Sequence, residues 1–150
     1  MFQENRHDIV IKSDPASVRY EILWWGEAVW WPANSLMRFV RLTERPLQKG
    51  TRYRQEVVIP FAPSWEVEID SLTDTSITRR FLNGMFVGFE TVSFIDRTGN
   101  VEVSYRMHYE CQGFLNRFLW LFIFKNLHDK NIELILASLK TFLEKGKKEV

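Results

Sequence analysis

The sequence predicts an α+β fold in which a curved antiparallel sheet wraps a long C-terminal helix. Three observations carry this. The hydrophobic period is two from Leu36 to Tyr109 and helical beyond Gly113. Turn signals at Asn83-Gly84 and at Arg97-Thr98-Gly99-Asn100 join neighbouring strands as hairpins. A helix from about Leu115 to Lys145, near 45 Å long at about 1.5 Å per residue, has to cross the whole of so small a domain. The 150 residues suffice for one domain with a real core. No repeat, linker or low-complexity tract divides residues 1–150, so they read as a single domain.

In chain order, His7 to Lys12 contains Ile9, Val10 and Ile11 and reads as a first strand. Asp14 can cap the free N–H groups of a following helix, and Pro15 suits its first turn, where a missing N–H costs nothing. Val18, Ile22 and Trp25 recur at helical spacing. Gly26 then interrupts the helix, and Glu27 to Trp31 forms a second short one closed by Pro32. Leu36 to Glu44 and Thr51 to Ile59 read as strands. In the next strand Trp65, Val67 and Ile69 point in while Glu66, Glu68 and Asp70 point out. Thr75 to Leu82 and Met85 to Ile95 follow. Val101 to Tyr109 alternates most clearly of all. On the last helix Phe114, Phe118, Leu121, Ile132, Ile135, Leu139 and Phe142 form one stripe, with Lys125 and His128 in its gap.

Register narrows the interior. A two-residue turn at Asn83-Gly84 sets Phe81 opposite Phe86, Arg79 opposite Gly88 and Ile77 opposite Glu90. A turn centred between Thr98 and Gly99 sets Phe94 opposite Val103, Val92 opposite Tyr105 and Glu90 opposite Met107. Both turns put Glu90, Val92 and Phe94 on the face shared by Tyr105 and Met107, which is the buried one. Arg79 and Glu90 then point inward as diagonal neighbours on adjacent strands.

Composition removes several classes of function. With 15% aromatic residues, 12 of them Phe and 6 Trp, the chain is not disordered. Its 20 basic and 19 acidic residues leave a net charge of +1, so no overall field draws nucleic acid. Lys145, Lys147 and Lys148 read as a solvated helix end. The single cysteine, Cys111, excludes an internal disulfide and a cysteine-based zinc site, and reads as a small half-buried strand residue. His7, His108 and His128 share no metal-binding spacing, and no phosphate-cradling glycine loop or nucleophile elbow is present, so no metal and no cofactor is expected. Met1 to Asp8 lacks the apolar core of a secretion signal, so a cytoplasmic address is expected. The apolar run Phe118 to Phe124 is far short of the roughly 20 residues that span a membrane. It is apolar nearly all round and leaves contact with a membrane surface, or with another copy, open.

Strand, two short helices, about six antiparallel strands and a long closing helix form the element order of the helix-grip fold. The chain resembles the START/pollen-allergen superfamily (SRPBCC), in particular the branch of polyketide cyclases, dehydratases and lipid transport proteins. The residues carrying the resemblance are Asp14-Pro15 with Val18 and Ile22-Leu23, Trp30-Trp31-Pro32, Gly50-Thr51, Gly99-Asn100-Val101-Glu102-Val103, and Leu139-Lys140 with Leu143-Glu144. It covers roughly residues 7 to 146. The resemblance implies a seven-stranded sheet with an elongated cavity between sheet and long helix that takes lipids, sterols, polyketides or other apolar molecules. Some members of the superfamily are enzymes and many are carriers, so the fold does not choose between them.

Three functions therefore stay open: a carrier or sensor of an apolar small molecule, a cofactor-free cyclase or dehydratase, and a protein-interaction module whose interior is only core. The expected ligand-binding residues are Gln55, Trp65, Arg79, Phe81, Glu90, Tyr105, Met107, Tyr109 and His128, with Val67 and Val92 beside them. Arg79 is the expected anchor for an acidic ligand, with Glu90 orienting it or acting as base; the alternative is a structural ion pair. Gln55, Tyr105 and Tyr109 offer polar tips inside an apolar space. His128 reads as a histidine at the cavity rim able to move protons near neutral pH. Trp24, Trp25, Trp30 and Trp31 either close the cavity as a lid or pack the short helices onto the sheet.

Overall fold

The computed structural model describes residues 2–145, so Lys147 and Lys148 lie outside the described residues. Seven antiparallel strands form one sheet: β1 (Gln3–Ile11), β2 (Met37–Arg41), β3 (Arg52–Val57), β4 (Ser64–Leu72), β5 (Ser76–Phe81), β6 (Phe86–Asp96) and β7 (Val101–Cys111). Their order is β1-β7-β6-β5-β4-β3-β2, so the first strand closes the sheet beside the last and every other neighbour is a neighbour in sequence. Helix α1 (Pro15–Ile22) links β1 to β2. The described residues close with one continuous helical run: α2 (Phe114–Leu119), a π-helical turn (Trp120–Phe124) and α3 (Lys125–Lys145). No helix among the described residues is long and apolar enough to cross a membrane.

Alternation does what the sequence predicts. Along β4, Trp65, Val67 and Ile69 are buried, while Glu68 on the outer face pairs with Arg52 and Arg80 at 3.3 and 3.0 Å. Along β7, Val101, Val103, Tyr105, Met107 and Tyr109 all face the core. Gly88 lets β6 lie close on β7: its φ is +127°, and a side chain there would begin 2.0 Å from the His108 carbonyl oxygen. Only glycine fits such a position.

The N-terminal helix begins as expected. Asp14 accepts the Ser17 N–H at 2.9 Å and Pro15 occupies the first turn. Asp14→Ala should cost about 1 kcal/mol of stability, to be read as a lower urea midpoint with an unchanged slope. The second short helix expected over Glu27 to Trp31 is absent; the segment is a succession of turns. Gly26 at φ +87° leaves the helical region. A stretch that short gains too little from helix formation to compete with its side chains. The indole of Trp30 donates to Glu21 at 2.8 Å, and Trp25, Trp30 and Trp31 pack edge to face or tilted on one another.

The register of β6 on β7 is as predicted: Phe94 opposite Val103, Val92 opposite Tyr105 and Glu90 opposite Met107. Between β5 and β6 it is shifted by two, with Ile77 opposite Val92 and Arg79 opposite Glu90. The connection is therefore longer than a two-residue turn at Asn83-Gly84. A shift of two preserves which face each residue takes. Arg79 and Glu90 still point inward, now directly opposite rather than diagonal.

The stripe expected on the last helix needs a correction. Ile132, Ile135 and Leu139 are buried, but Phe114, Phe118, Leu121 and Phe142 are exposed, and Trp120 is buried instead. A π turn inserts one residue into the 3.6-residue period. Extrapolating the stripe back from Ile132 therefore lands on Leu121 when the helix turns Trp120 inward.

Candidate functional site between sheet and helix

The concave face of the sheet and the C-terminal helix enclose two neighbouring compartments. The outer one is lined by Leu36, Val57, Pro63, Met85, Phe124 and Leu127, and the inner one by Phe39, Phe81, Glu90, Tyr105, Met107 and Ile135, among others. Met37, Trp65, Trp120, His128 and Asn131 line both and form the neck. Each holds about 30 Å³ of open space, enough for one or two water molecules. A drug-sized ligand needs about 300 Å³ or more. The side chains fill most of the interior.

A string of hydrogen bonds crosses this apolar space. The Trp65 indole donates to Gln55 Oε1 at 2.6 Å, Gln55 Nε2 donates to Glu90 Oε1 at 2.6 Å, and the Tyr105 hydroxyl donates to Glu90 Oε2 at 2.8 Å. The Gln55–Glu90 bond reaches from β3 to β6 over two intervening strands, which only a curled sheet permits. Burial, and then the neighbouring Glu90 carboxylate, hold the Tyr105 hydroxyl well above its ordinary pKa, so it stays protonated as a donor. Both Glu90 oxygens thus accept from neutral donors.

His128 stands over this string. Its ring lies 5.7 Å from that of Tyr105 and 5.3 Å from the indole of Trp120. Nε2 is shut off from solvent and has no hydrogen-bond partner among the described residues. Burial pushes its pKa down to about 4, so the imidazole is neutral near pH 7, and the residue lines both compartments. The sequence placed His128 at a rim; it is half-buried at the neck.

Arg79 is fully buried, yet it forms no ion pair with Glu90, and none of its three guanidinium nitrogens has a partner among the described residues. This corrects the alternative reading of a structural Arg79–Glu90 ion pair. Gln55 and Tyr105 occupy both Glu90 oxygens, and the Arg79 head lies 5.7 Å from the Phe39 ring and 5.6 Å from that of Tyr53. Arg79 thus lies against Phe39 and Tyr53 and is not among the residues lining either compartment. Tyr109 is also turned elsewhere, accepting from Trp120 at 2.8 Å and donating to Gln3 at 3.2 Å. Of the nine expected residues, Gln55, Trp65, Phe81, Glu90, Tyr105, Met107 and His128 line the inner compartment.

Three residues at the neck, Met37, Trp120 and Asn131, went unanticipated. Asn131 is buried and ties the helix to the loop before β2, accepting the Leu36 N–H at 2.9 Å and donating to Ser35 at 3.1 Å. A polar residue one position before the stripe residue Ile132 was the available signal. Trp120 was hidden by the π turn. Among the tryptophans, Trp25, stacked on Tyr105 at 6.1 Å, and Trp31 line the compartment wall as packed core rather than as a lid.

No protein-family model and no curated protein matches the chain in sequence. Solved structures match it over nearly its whole length. A point mutant of norcoclaurine synthase from Thalictrum flavum in complex with a transition-state analogue superposes with a TM-score of 0.74 at 8% identity, over 98% of this chain and 97% of that one. The Zhui aromatase/cyclase from Streptomyces sp. R1128 gives 0.71 at 11% identity, over 97% and 95%. Major latex-like protein 151 from Panax ginseng gives 0.68 at 12% identity, over 95% and 97%. The chain has the helix-grip fold, and its resemblance to the START/pollen-allergen superfamily holds at that level.

Proposed function

We propose that this helix-grip domain binds a neutral, apolar small molecule carrying one hydroxyl or carbonyl group, between the sheet and the C-terminal helix. The observation that carries the reading is the buried, unpartnered Nε2 of neutral His128, a residue that lines both apolar compartments beside the Gln55–Glu90–Tyr105 string. A buried polar atom without a partner costs free energy that a ligand hydroxyl or carbonyl would recover. Charge argues against an acidic ligand. Glu90 is the lining's charged group, and the cation of Arg79 lies against Phe39 and Tyr53, outside the lining. The expected acid anchor is thereby replaced by a polar, uncharged one. Because open space is about 30 Å³ in each compartment, a ligand has to part the neck residues to enter.

The small free volume favours a second reading on its own, a protein-interaction module with a filled core. A cyclase or dehydratase would need Glu90 or His128 to reach a reacting carbon, and the same neck controls that access. Native mass spectrometry of the purified protein followed by organic extraction separates the two main readings. A neutral apolar compound is the expected cargo. In titration calorimetry a medium-chain alcohol should bind more tightly than the carboxylate of equal length. His128→Phe should weaken alcohol binding by roughly 2- to 12-fold, the worth of one neutral hydrogen bond. An empty protein that binds neither probe would leave the filled-core module as the reading.

A further inference from the structure

The start of the C-terminal helix leaves apolar surface uncovered that the interior does not use. Phe114, Leu115, Phe118, Leu121, Phe122 and Ile123 are all exposed, Phe114 by 85% and Phe122 by 66%, and α2 contains no buried residue. Single exposed apolar side chains are ordinary, but a contiguous patch of this kind marks an interaction surface. A second apolar projection stands close by. Phe61, fully exposed, and the exposed Val58 belong to the loop between Val57 and Pro63. Those two residues line the outer compartment together with Phe124 and Leu127 of the helix. Helix and loop thus carry exposed apolar side chains on either side of the same opening.

Charge selects the partner. From Gln112 to His128 the charged residues are Arg117 and Lys125, with no Asp or Glu among them. Arg117 Nε donates to the Cys111 carbonyl at 3.3 Å, and Lys125 forms no ion pair among the described residues. The flanking acids are Glu110, the penultimate residue of β7, and Asp129, whose carboxylate accepts from Asn5 at 2.5 Å and meets His7 at 3.1 Å. A symmetric contact with a second copy would bring the same cations together, with no acid in the segment to meet them. An anionic lipid surface supplies that countercharge and takes aromatic side chains into its headgroup region. We infer that this face docks on an anionic bilayer, with Phe114, Phe118 and Phe122 of the helix and Phe61 of the loop entering the interface and the opening between them turned toward lipid. The inference stands apart from the identity of any cargo.

Co-sedimentation of the full chain tests it, using vesicles of phosphatidylcholine alone and vesicles with about one-third phosphatidylserine. Binding should be roughly 20- to 30-fold tighter to the anionic vesicles, the worth of two surface cations, and should weaken in high salt. Phe114→Ser combined with Phe122→Ser changes exposed positions, so the fold is retained, as circular dichroism would verify. It should reduce binding at least about tenfold. No vesicle binding, or binding unchanged in the double variant, overturns the inference. A concentration-dependent dimer in sedimentation velocity, abolished by the same variant without any vesicle binding, assigns the face to a second copy instead.

Discussion

Arg79→Met should leave stability within about 1 kcal/mol of the parent protein, whereas Glu90→Leu should cost about 3–5 kcal/mol. The two charges face each other across β5 and β6, so a simple ion-pair view would have both substitutions destabilise alike. Their surroundings differ. The Arg79 guanidinium is fully buried with no hydrogen-bond partner among the described residues, and the rings of Phe39 and Tyr53 near it return only part of the lost hydration. Methionine fills a similar volume without a charge. Glu90 instead accepts from Gln55 and Tyr105, both buried. Leucine would strand two donors and remove the anion that faces Arg79. At roughly 2–4 °C per kcal/mol for a protein of this size, thermal unfolding resolves the contrast. Equal destabilisation by both variants would show that Arg79 is held by partners after all.

The same pair shows how far the sequence could be read. Face assignments follow from strand parity, so an error of two in the β5–β6 register left Arg79, Phe81 and Glu90 inward. Burial of Val92, Tyr105 and Met107 was legible for the same reason. Partnership was not legible, because the rivals for the Glu90 oxygens come from β3 and β7 and meet only when the sheet curls. Tertiary hydrogen bonds of that kind leave no local pattern. The helix phase failed differently. Nothing in Trp120–Phe124 announces an extra residue per turn, since every side chain there is apolar and a period cannot be read from a uniform run. That uniformity itself signalled surface beyond what the core needs, and Leu121, Phe122 and Ile123 of the run, with Phe114, Leu115 and Phe118 before it, are exposed on the proposed docking face. At the tryptophan-rich turn, propensity favoured a helix and packing of three indoles overrode it.

Stability should fall between pH 6.5 and about 4 by roughly 3 kcal/mol on account of His128 alone. Burial depresses its pKa in the folded protein from 6.5 to about 4. In that window the unfolded chain binds a proton that the folded chain refuses, so the contribution is complete above 6.5 and drains away as pH falls toward 4. The groups around the ring do not cancel this. Asp129 favours the charged form, His7 opposes it, and the neighbouring Tyr105 hydroxyl stays neutral, while the desolvation of a ring tilted against Tyr105 and Trp120 is the largest effect. Asp8, Glu56 and Glu144 have pKa values lowered by hydrogen bonds, from Ser104, from Arg38 and from the Lys12 N–H respectively, so their contributions begin to be lost only below 4.5 for the glutamates and 3.8 for Asp8, at the acid end of His128's window. His128→Phe keeps a ring between the same two aromatics and has no proton to gain. Its unfolding midpoint in urea should therefore stay nearly flat from pH 6.5 to 4.5 while that of the parent chain declines. Parallel slopes for the two proteins would mean that His128 can protonate in place, with Nε2 reached by water through the neck. The compartments would then be open to solvent, and a neutral ligand would have to displace that water to bind.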